Sequence, residues 1–507
     1  MQPNVANSTV PLTKPARKAG GGARSRRTTT GAKGKGKCRF LTALAVTAWT
    51  FYLYLHFSGP SGTAQVSRGS GGGDPCRGRY IYVYNLPPRF NADIIRGCRK
   101  TEADHWGDLC ASLSNAGLGR ALADDDGVFT GEAGWYDTHQ FALDAIFHHR
   151  MKRYECLTNR SSAAAAVFVP FYAGFDFARY HNDGGAARDA ASTDLMVWLT
   201  GQFQWGRRMG GLDHFLVAGR TGFDFFRRGI SDVDTGRGNG LLMRAARNMS
   251  VLVLESTLRR GGDYAVPYPT YFHPRSDADV LRWQDRVRGQ RRTRLMAFVG
   301  APGPDTPANI RVRDHVITQC KASSACAMLG CARSAGGTRR CRNHTPANIM
   351  RLFQKASFCL QPPGDSWTRR SVFDSMVAGC IPVFFHTASA YKQYRWHLPK
   401  LHLDYSVYIP DADVRERNVS IEDVLRAIPP ATVERMRDEV IKLIPTVIYT
   451  DPRSRLETIK DAFDVAVEGI LDLEARIKNG EHLDSGRPVS DDPANLYVST
   501  ESTFRPK

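Results

Sequence analysis

The 507-residue sequence lacks internal repeats and has only one long run of uncharged apolar residues. A protein that crosses a membrane several times would need several such runs, so that class is excluded. Hydrophobic residues at 42% and charged residues at 23% are ordinary for globular proteins and argue against a disordered or collagen-like chain. Because one hydrophobic core rarely organises more than about 300 residues, the length predicts two folded domains.

Acidic residues are absent from the first 39 positions, which carry ten of the 69 lysines and arginines. Residues 40–57 then form the uncharged run FLTALAVTAWTFYLYLHF, whose far end is aromatic, as at a membrane interface. As a helix this run would span about 27 Å, just enough to cross a bilayer. Positive charge stays cytosolic, so we predict a type II signal anchor behind a cytosolic tail at 1–39. Two alternatives to a signal anchor are a cleaved signal peptide and a nuclear-localisation tail beside a buried helix.

A strong basic excess is missing from the rest of the chain. The formal net charge is +19, but from Asp74 onward the chain has 58 lysines and arginines against 50 acidic residues. The remaining excess does not predict a nucleic-acid partner. Residues 58–75 are rich in Gly and Ser and are typical of a flexible stem. Four N-x-S/T sequons follow, which a lumenal location would expose to glycosylation: Asn159, Asn248, Asn343 and Asn418.

C-x-x-C pairs are also absent, which argues against a zinc knuckle. Cys38 abuts the apolar run, and ten cysteines remain beyond it: Cys76, Cys98, Cys110, Cys156, Cys320, Cys326, Cys331, Cys341, Cys359 and Cys380. An even number in an oxidising compartment favours disulfides, with a stapled loop between Cys320 and Cys341. Cys359 and Cys380 lie inside apolar runs and are equally compatible with buried free thiols.

Short apolar strands alternate with amphipathic helices from Tyr80 onward, and the pattern restarts at Leu295. This alternation predicts α/β domains whose parallel sheets bind ligands at the carboxyl ends of their strands. The predicted divisions are an N-terminal acceptor-side α/β domain at 76–265, an irregular linker at 266–294, a C-terminal nucleotide-sugar-binding α/β domain at 295–450, a closing helix at 451–478 and a mobile tail at 479–507.

The most informative segment, residues 358–385, has the pattern strand, turn, helix, strand. A strand breaks at Pro362-Pro363-Gly364, Asp365 or Ser366 can cap the following helix, and Gly379 ends it. Because the helix N-terminus then lies at the carboxyl end of the strand, it is suited to an anion. The glycine-rich P-loop and G-x-G-x-x-G signatures are absent, so neither standard nucleotide motif applies.

Two arginines strengthen this prediction. Arg369 and Arg370 offer bidentate donors for a diphosphate, and Asp374 one turn later can accept hydrogen bonds from ribose hydroxyls. Spacing alone is equally compatible with a surface ion pair between Arg370 and Asp374, with Trp367 as a core anchor.

Six blocks of sequence carry a family likeness: IYVYNLPPRFN, THQFALDAIFHHRMKRYECLT, AVFVPFYAGFD, GGLDHFLVAGRTGFDFFRR, VPYPTYFHP and PPGDSWTRRSVFDSMVAGCIPVFFH. Together they strongly resemble the exostosin-type glycosyltransferases, nearest to the plant xyloglucan galactosyltransferases. The resemblance implies a GT-B fold, in which two Rossmann-like domains face a cleft, and an inverting transfer from a UDP-sugar. It also implies a single-pass type II protein of the Golgi membrane with a lumenal catalytic part.

The reaction implied by the resemblance moves a sugar, expected to be galactose, to xylosyl side chains of xyloglucan in cell-wall hemicellulose synthesis. Galacturonosyl or arabinosyl transfer to the same type of acceptor, or a non-catalytic Golgi glycan-binding subunit, are the alternatives. Association with other Golgi glycosyltransferases is a further option. The donor-binding residues carried over are Gly364, Asp365, Ser366, Trp367, Arg369, Arg370 and Asp374; many relatives have Glu in place of this aspartate.

An inverting transfer needs a base near the acceptor hydroxyl. We predict His214 and Asp213, at a turn-to-strand boundary that can face the cleft, and then Asp144 in a helix; packing roles compete for each. Because sugar faces pack on aromatic rings, the predicted acceptor groove comprises Trp135, Tyr136, Phe171, Tyr172, Phe175, Tyr268 and Tyr271.

Metal-dependent transferases hold manganese through an Asp-x-Asp pair after a strand. Four such pairs occur, a number expected by chance among fifty acidic residues: Asp124/Asp126, Asp232/Asp234, Asp277/Asp279 and Asp411/Asp413. We predict that they lie in surface loops, and that the enzyme uses no metal and no cofactor beyond its UDP-sugar substrate.

Overall fold

The computed structural model describes residues 74–98, 109–124, 127–129, 134–180, 183–207, 209–227, 238–258, 261–302, 311–333, 339–341 and 343–481. The chain divides into two units, Met1–Gly72 and Gly73–Lys507, and all described residues belong to the second. The predicted cytosolic tail, the anchor at 40–57 and nearly all of the stem therefore lie outside the described residues. Among the residues that are described, no helix is both long enough and apolar enough to cross a membrane.

The strands are β1 (Ile81–Val83), β2 (Leu157–Thr158), β3 (Ala166–Phe168), β4 (His214–Thr221), β5 (Ser250–Glu255), β6 (Asp263–Ala265), β7 (Arg294–Gly300), β8 (Cys326–Gly330), β9 (Ala332–Arg333), β10 (Arg339–Arg340), β11 (Ala356–Gln361), β12 (Ile381–Phe384) and β13 (Val407–Tyr408). The helices are α1 (Ala92–Arg96), α2 (Ser114–Gly117), α3 (Leu143–Met151), α4 (Ala173–Tyr180), α5 (Gly185–Thr200), α6 (Phe203–Arg207), α7 (Asp277–Gly289), α8 (Val312–Ala322), α9 (Pro346–Lys355), α10 (Arg370–Val377), α11 (Asp411–Arg415), α12 (Ile421–Arg426), α13 (Pro430–Lys442) and α14 (Ala462–Lys478).

Two parallel sheets organise these elements. The first has the order β2-β1-β3-β4-β5-β6 and the second β13-β12-β11-β7-β8, and every neighbouring pair in both is parallel. Strands β9 and β10 form a separate antiparallel pair. The predicted α/β class is confirmed, and the first strand of the second sheet in chain order is β7. Because all strands of a parallel sheet end at one edge, ligand-binding loops of each sheet collect at that edge.

The core explains why the two sheets form one body. One hydrophobic cluster runs from the α3 face of the first sheet, through Trp135 and Trp283, into the strands and helices around the second sheet. A second cluster fills the opposite face of the first sheet, beneath α4 and α5. The shared cluster fixes the edge loops of the two sheets relative to each other.

Helix α7 lies inside the stretch 266–294, which the sequence analysis treats as an irregular linker. Ser276 and Asp279 form a capping box at its start, and Val280, Trp283 and Val287 are buried. Trp283 Nε1 donates to the carbonyl of Val377 at 2.8 Å. The arginines of RWQDRVRG mask this apolar spacing, which is why the helix was missed.

The closing helix begins later than predicted. Asp461 caps α14 through a capping box with Asp464, so the helix starts at Ala462 and not near 451. Although it follows the second domain in the chain, it packs on the first: Phe463 contacts the ring of Phe147 at 4.7 Å. The buried Glu474 accepts a hydrogen bond from Ser250 Oγ at the start of β5.

Five disulfides join all ten cysteines beyond the apolar run: Cys76–Cys156, Cys98–Cys110, Cys320–Cys326, Cys331–Cys341 and Cys359–Cys380. The alternative of buried free thiols at the last pair is wrong, because the bond joins β11 to the residue just before β12. The predicted stapled loop consists of two short disulfide rings in sequence.

Candidate active site

The segment that follows β11, residues 362–369, is called here the PPG loop. It leads into α10, whose N-cap is Arg369 in extended conformation. The helix therefore starts later than the predicted cap at Asp365 or Ser366. The physical reason is that the Ser366 hydroxyl donates to Glu255 across the cleft, at 2.7 Å, and is not available as a cap. No described side chain caps α10, so side chains leave the amides at its start open to an anion, except for the Val372 amide, which donates to the Arg369 carbonyl.

Arg369 lies directly over Gly364. A Cβ at position 364 would come within 1.3 Å of Arg369 Nη2, so only glycine leaves room for the guanidinium there. The guanidinium lies 3.6 Å from the exposed carboxylate of Asp365. Its Nε and Nη2 are buried and have no hydrogen-bond partner within the described part of the chain. These N–H groups can donate hydrogen bonds to an anionic ligand.

Arg370 plays a different part from its neighbour. Its Nε pairs with Asp374 at 3.1 Å, and its guanidinium lies 3.6 Å from the centre of the Tyr271 ring. It also donates to the backbone carbonyl of Thr138, which belongs to the first domain. Asp374 is 2% exposed, and burial raises the pKa of its carboxyl to about 6 despite the nearby Arg370 charge. In this structure Asp374 therefore anchors Arg370 and does not present an open carboxylate to a ribose.

Trp367 stacks face to face with His386. The two rings stack at 4.2 Å with an interplanar angle of 11°. His386 follows the carboxyl end of β12, and its Nδ1 accepts the backbone N–H of Ala388, which leaves the ring proton on Nε2. Sequence reasoning missed this histidine, although a polar residue directly after a predicted parallel strand is the signal that finds it.

Two further residues hold the PPG loop and were also missed. Glu255, the last residue of β5, accepts hydrogen bonds from Ser366 and Thr368 across the cleft. Arg313 of α8 donates to the carbonyls of Pro362 and Pro363. The loop is therefore fixed from both domains, and the carboxyl edge of the first sheet faces it.

The Exostosin GT47 domain matches residues 75–425. The chain belongs to the exostosin GT47 family. The resemblance identified in the sequence is thereby confirmed.

Several GT47 relatives are similar over most of this chain. Xyloglucan galactosyltransferase MUR3 of Arabidopsis thaliana is 54% identical over 407 residues, covering 80% of this chain and 64% of its own length. Probable xyloglucan galactosyltransferase GT15 of the same plant is 45% identical, over 82% of this chain and 87% of its own. Xyloglucan-specific galacturonosyltransferase 1, also from this plant, is 37% identical, over 78% and 57%. This chain thus spans just under two thirds of the length of MUR3.

The predicted catalytic pair of this GT47 chain lies away from the PPG loop. His214 is fully buried at the amino end of β4, where its Nδ1 bonds Asp213 at 2.8 Å and its Nε2 bonds the Tyr84 hydroxyl at 3.1 Å. At ~3.3 Å per residue, β4 extends about 23 Å from there to the carboxyl edge that faces the loop. The turn-to-strand boundary does not face the cleft, and we do not assign the base to this pair.

Asp144, the third candidate, does lie near the carboxyl edge. It accepts the backbone N–H of Gly174 at 3.0 Å and of Gly219 at 2.9 Å. A Cβ at Gly219 would lie 2.2 Å from its Oδ2, so glycine is needed for this close approach. Burial raises the pKa of Asp144 to about 7, opposed by the two amides and Arg220. Here Asp144 ties the start of α4 and the second half of β4 to α3.

The residues predicted for the acceptor groove are all buried: Trp135, Tyr136, Phe171, Tyr172, Phe175, Tyr268 and Tyr271. Two of them contact residues that hold the PPG loop or the start of α10. The Tyr268 hydroxyl donates to Glu255 at 2.6 Å, and Tyr271 supports Arg370. The others pack in the first domain or along its seam, as with Trp135 against Trp283 at 4.6 Å. Their apolar rings therefore serve the core and do not form an open platform.

The described Asp-x-Asp pairs are engaged at helix starts. Asp277 accepts the backbone amides of Glu457 and Thr458, and Asp279 belongs to the capping box of α7. Asp411 and Asp413 open α11, each within reach of an arginine. Asp124 accepts the amide of Phe129, while Asp126, Asp232 and Asp234 lie outside the described residues. The four sequon asparagines are exposed: Asn159, Asn248, Asn343 and Asn418.

Proposed function

We propose that this chain is a GT-B glycosyltransferase that moves galactose from UDP-galactose to xylosyl side chains of xyloglucan, with inversion. The observation that carries the proposal is Arg369: two buried guanidinium nitrogens that make no hydrogen bond within the described residues, at the uncapped start of α10 beside the carboxyl end of β11. The names of the MUR3 and GT15 relatives support galactose as the sugar and xyloglucan as the acceptor.

Arg369 and the first amides of α10 stabilise the departing UDP. Negative charge grows on the β-phosphate as the glycosidic bond to the sugar breaks, and donors fixed in advance lower the barrier without reorganising. Arg370 keeps these donors in place through Asp374, Tyr271 and the Thr138 carbonyl. The acceptor hydroxyl approaches from the first domain, opposite the leaving group, as inversion requires.

The stacked pair of Trp367 and His386 is suited to the uracil ring, which would pack on an outer face of the pair. A base can stack on an aromatic ring face at a distance similar to the 4.2 Å between the Trp367 and His386 rings. The Asp365 carboxylate is exposed beside Arg369, so it can accept hydrogen bonds from the sugar or ribose hydroxyls. The loop then contacts base, diphosphate and sugar in order.

We also propose that the transfer needs no metal ion, because the described Asp-x-Asp pairs are taken up by helix starts and arginines. Activity in EDTA equal to that without it is the expected result. Complete loss, restored by manganese, would contradict the proposal.

The cellular setting proposed is the Golgi membrane, with residues 40–57 as a single type II anchor and the two sheets in the lumen. Five disulfides and four exposed sequons support an oxidising, glycosylating compartment. In microsomes, protease should remove an N-terminal tag and leave the folded part intact, and endoglycosidase should shift its mass. Digestion of the folded part in sealed microsomes would contradict this topology.

Galacturonosyl transfer is the second candidate, favoured by the 37% identical galacturonosyltransferase relative. A panel of UDP-sugars with galactose-free xyloglucan, followed by linkage analysis of the product, separates the two. Transfer from UDP-galactose to xylose is expected, and transfer from UDP-galacturonic acid alone would replace the galactose assignment.

Calorimetry with UDP tests for a non-catalytic subunit. The wild type should bind UDP, Arg369→Ala should lose most of that affinity, and Arg426→Ala should retain it. Arg426 forms an exposed i,i+4 pair with Glu422 on α12 and serves as the matched control. Absence of UDP binding by the wild type would contradict an enzymatic role.

A further inference from the structure

Glu255 is a fully buried carboxylate at the seam between the domains. Its Oε1 accepts hydrogen bonds from the Tyr268 hydroxyl at 2.6 Å and the Ser366 hydroxyl at 2.7 Å. Its Oε2 accepts the backbone N–H of Thr368 at 3.1 Å. Burial raises the pKa of Glu255, while these three donors and the charge of Arg369 oppose that rise. All three partners donate, so the arrangement matches a carboxylate that accepts at both oxygens.

The neighbours of Glu255 make the end of β5 a docking point for the second domain. The carbonyl of Leu254 accepts the Tyr394 hydroxyl at 2.8 Å, and the amide of Ser256 donates to Gln393 Oε1 at 2.7 Å. These two bonds join the end of β5 to the second domain without using the Glu255 carboxylate. The carboxylate between them is directed to the PPG loop, and two of its three partners belong to that loop.

The consequence for the loop is geometric. The bonds to Glu255 hold Ser366 and Thr368 outside the helix, and the chain becomes helical only after Arg369, the N-cap of α10. Without a carboxylate at 255, Ser366 is free to cap the helix in the way its sequence position predicts. The helix would then gain a turn, and the Arg369 side chain would leave its place over Gly364.

We propose that Glu255, a residue of the acceptor-side domain, is a positioning residue for the nucleotide-sugar: it keeps residues 366–369 out of the helix so that Arg369 meets the donor diphosphate. The inference rests on the proposed function, because it assigns Glu255 to the same donor site. It predicts that donor affinity depends on a residue that does not itself contact the donor.

The test compares Glu255→Gln with a matched control, Glu474→Gln. Glu474 is also a fully buried glutamate and accepts a hydrogen bond from Ser250 at the opposite end of β5, about 17 Å away at ~3.3 Å per residue. Glutamine at 255 sets an N–H₂ group against a hydrogen-bond donor, so the KM for UDP-galactose and the Kd for UDP should rise about tenfold or more. The KM for xyloglucan should change less than about twofold, and Glu474→Gln should leave both donor constants unchanged.

Equal changes in the donor constants of both variants would overturn the proposal, as would an unchanged donor KM in Glu255→Gln. If that variant fails to fold, Glu255→Asp shortens the side chain by one methylene, weakens its bonds to the loop and leaves Ser366 free to cap the helix, so it should still raise the Kd for UDP. Wild-type affinity in Glu255→Asp would count against the inference. Binding of UDP by the wild type distinguishes failure of the proposed function from failure of the role proposed for Glu255. If the wild type does not bind UDP, the proposed function fails; if the wild type and Glu255→Gln bind it equally, only the role of Glu255 fails.

Discussion

Gly364→Ala perturbs the proposed diphosphate site through one added methyl group. The new Cβ would lie 1.3 Å from Nη2, 2.2 Å from Cζ and 2.5 Å from Nε of Arg369. These atoms form the end of a flexible side chain, so the guanidinium can swing away without moving the backbone. The φ angle of Gly364 lies outside the left-handed region, so alanine adds no backbone strain there.

The expected result is a loss of ligand affinity without a loss of stability. A hydrogen bond to a charged group contributes about 1.5–3 kcal/mol. Losing one such bond to the diphosphate should weaken UDP binding about 10- to 100-fold. The free energy of unfolding should fall by less than about 1 kcal/mol, because no packed apolar group is removed.

The assay pairs calorimetric titration with UDP and urea unfolding of the same samples. Gly289→Ala is the control, because a Cβ at that glycine meets nothing within 4 Å. Gly364→Ala binding UDP as tightly as the control would refute the placement of the diphosphate at Arg369. A large loss of stability in Gly364→Ala would refute the claim that only the guanidinium moves.

Three further perturbations test the surroundings of the site. Arg370→Ala leaves the carboxylate of Asp374 buried and unpaired and should lower the free energy of unfolding in urea by roughly 3–5 kcal/mol, whereas a loss below about 1 kcal/mol would contradict the anchoring role. Burial raises the pKa of Asp144 to about 7, so the folded protein binds this proton more tightly than the unfolded chain, whose value is about 3.9. Stability relative to Asp144→Asn should therefore fall as pH rises from about 4 to about 7 and then level off; a relative stability that rises across that window would contradict the assignment. Replacing both Cys359 and Cys380 by alanine should cost about 2–5 kcal/mol in urea, and peptide mapping that finds free thiols at these positions would overturn the disulfide.

Local features were predictable because nearby residues determine them. Thr345 caps α9 with Pro346 at its first position, as the sequence indicates. Gly379 follows α10 with a φ of +65°, a conformation that favours glycine. The two strands predicted within residues 358–385 are present as β11 and β12, with ends shifted by a few residues. These elements place the PPG loop at the carboxyl edge of the second sheet.

Contacts across the cleft were not predictable from the sequence. Glu255 and Ser366 are 111 positions apart, and the bond between them displaces the helix cap that local spacing favours. Thr138 contacts Arg370 through its backbone, which no residue type reveals.

The position of His214 could have been deduced from topology. A residue that opens a parallel strand lies at the edge opposite the ligand-binding loops, so the predicted alternation already excluded this histidine from the cleft. The prediction of an acceptor groove from aromatic residues was wrong for a different reason. Burial of large apolar rings contributes to the core at any strand end, so strand-end position does not distinguish a core ring from an exposed platform.

A crystal structure of the folded part with UDP tests the central claim most directly. The quantity to measure is the distance from the β-phosphate oxygens to the guanidinium nitrogens of Arg369. We expect at least one separation of about 2.7–2.9 Å, with the phosphate at the start of α10. A diphosphate bound beyond hydrogen-bonding distance of both Arg369 and the first α10 amides would contradict the account.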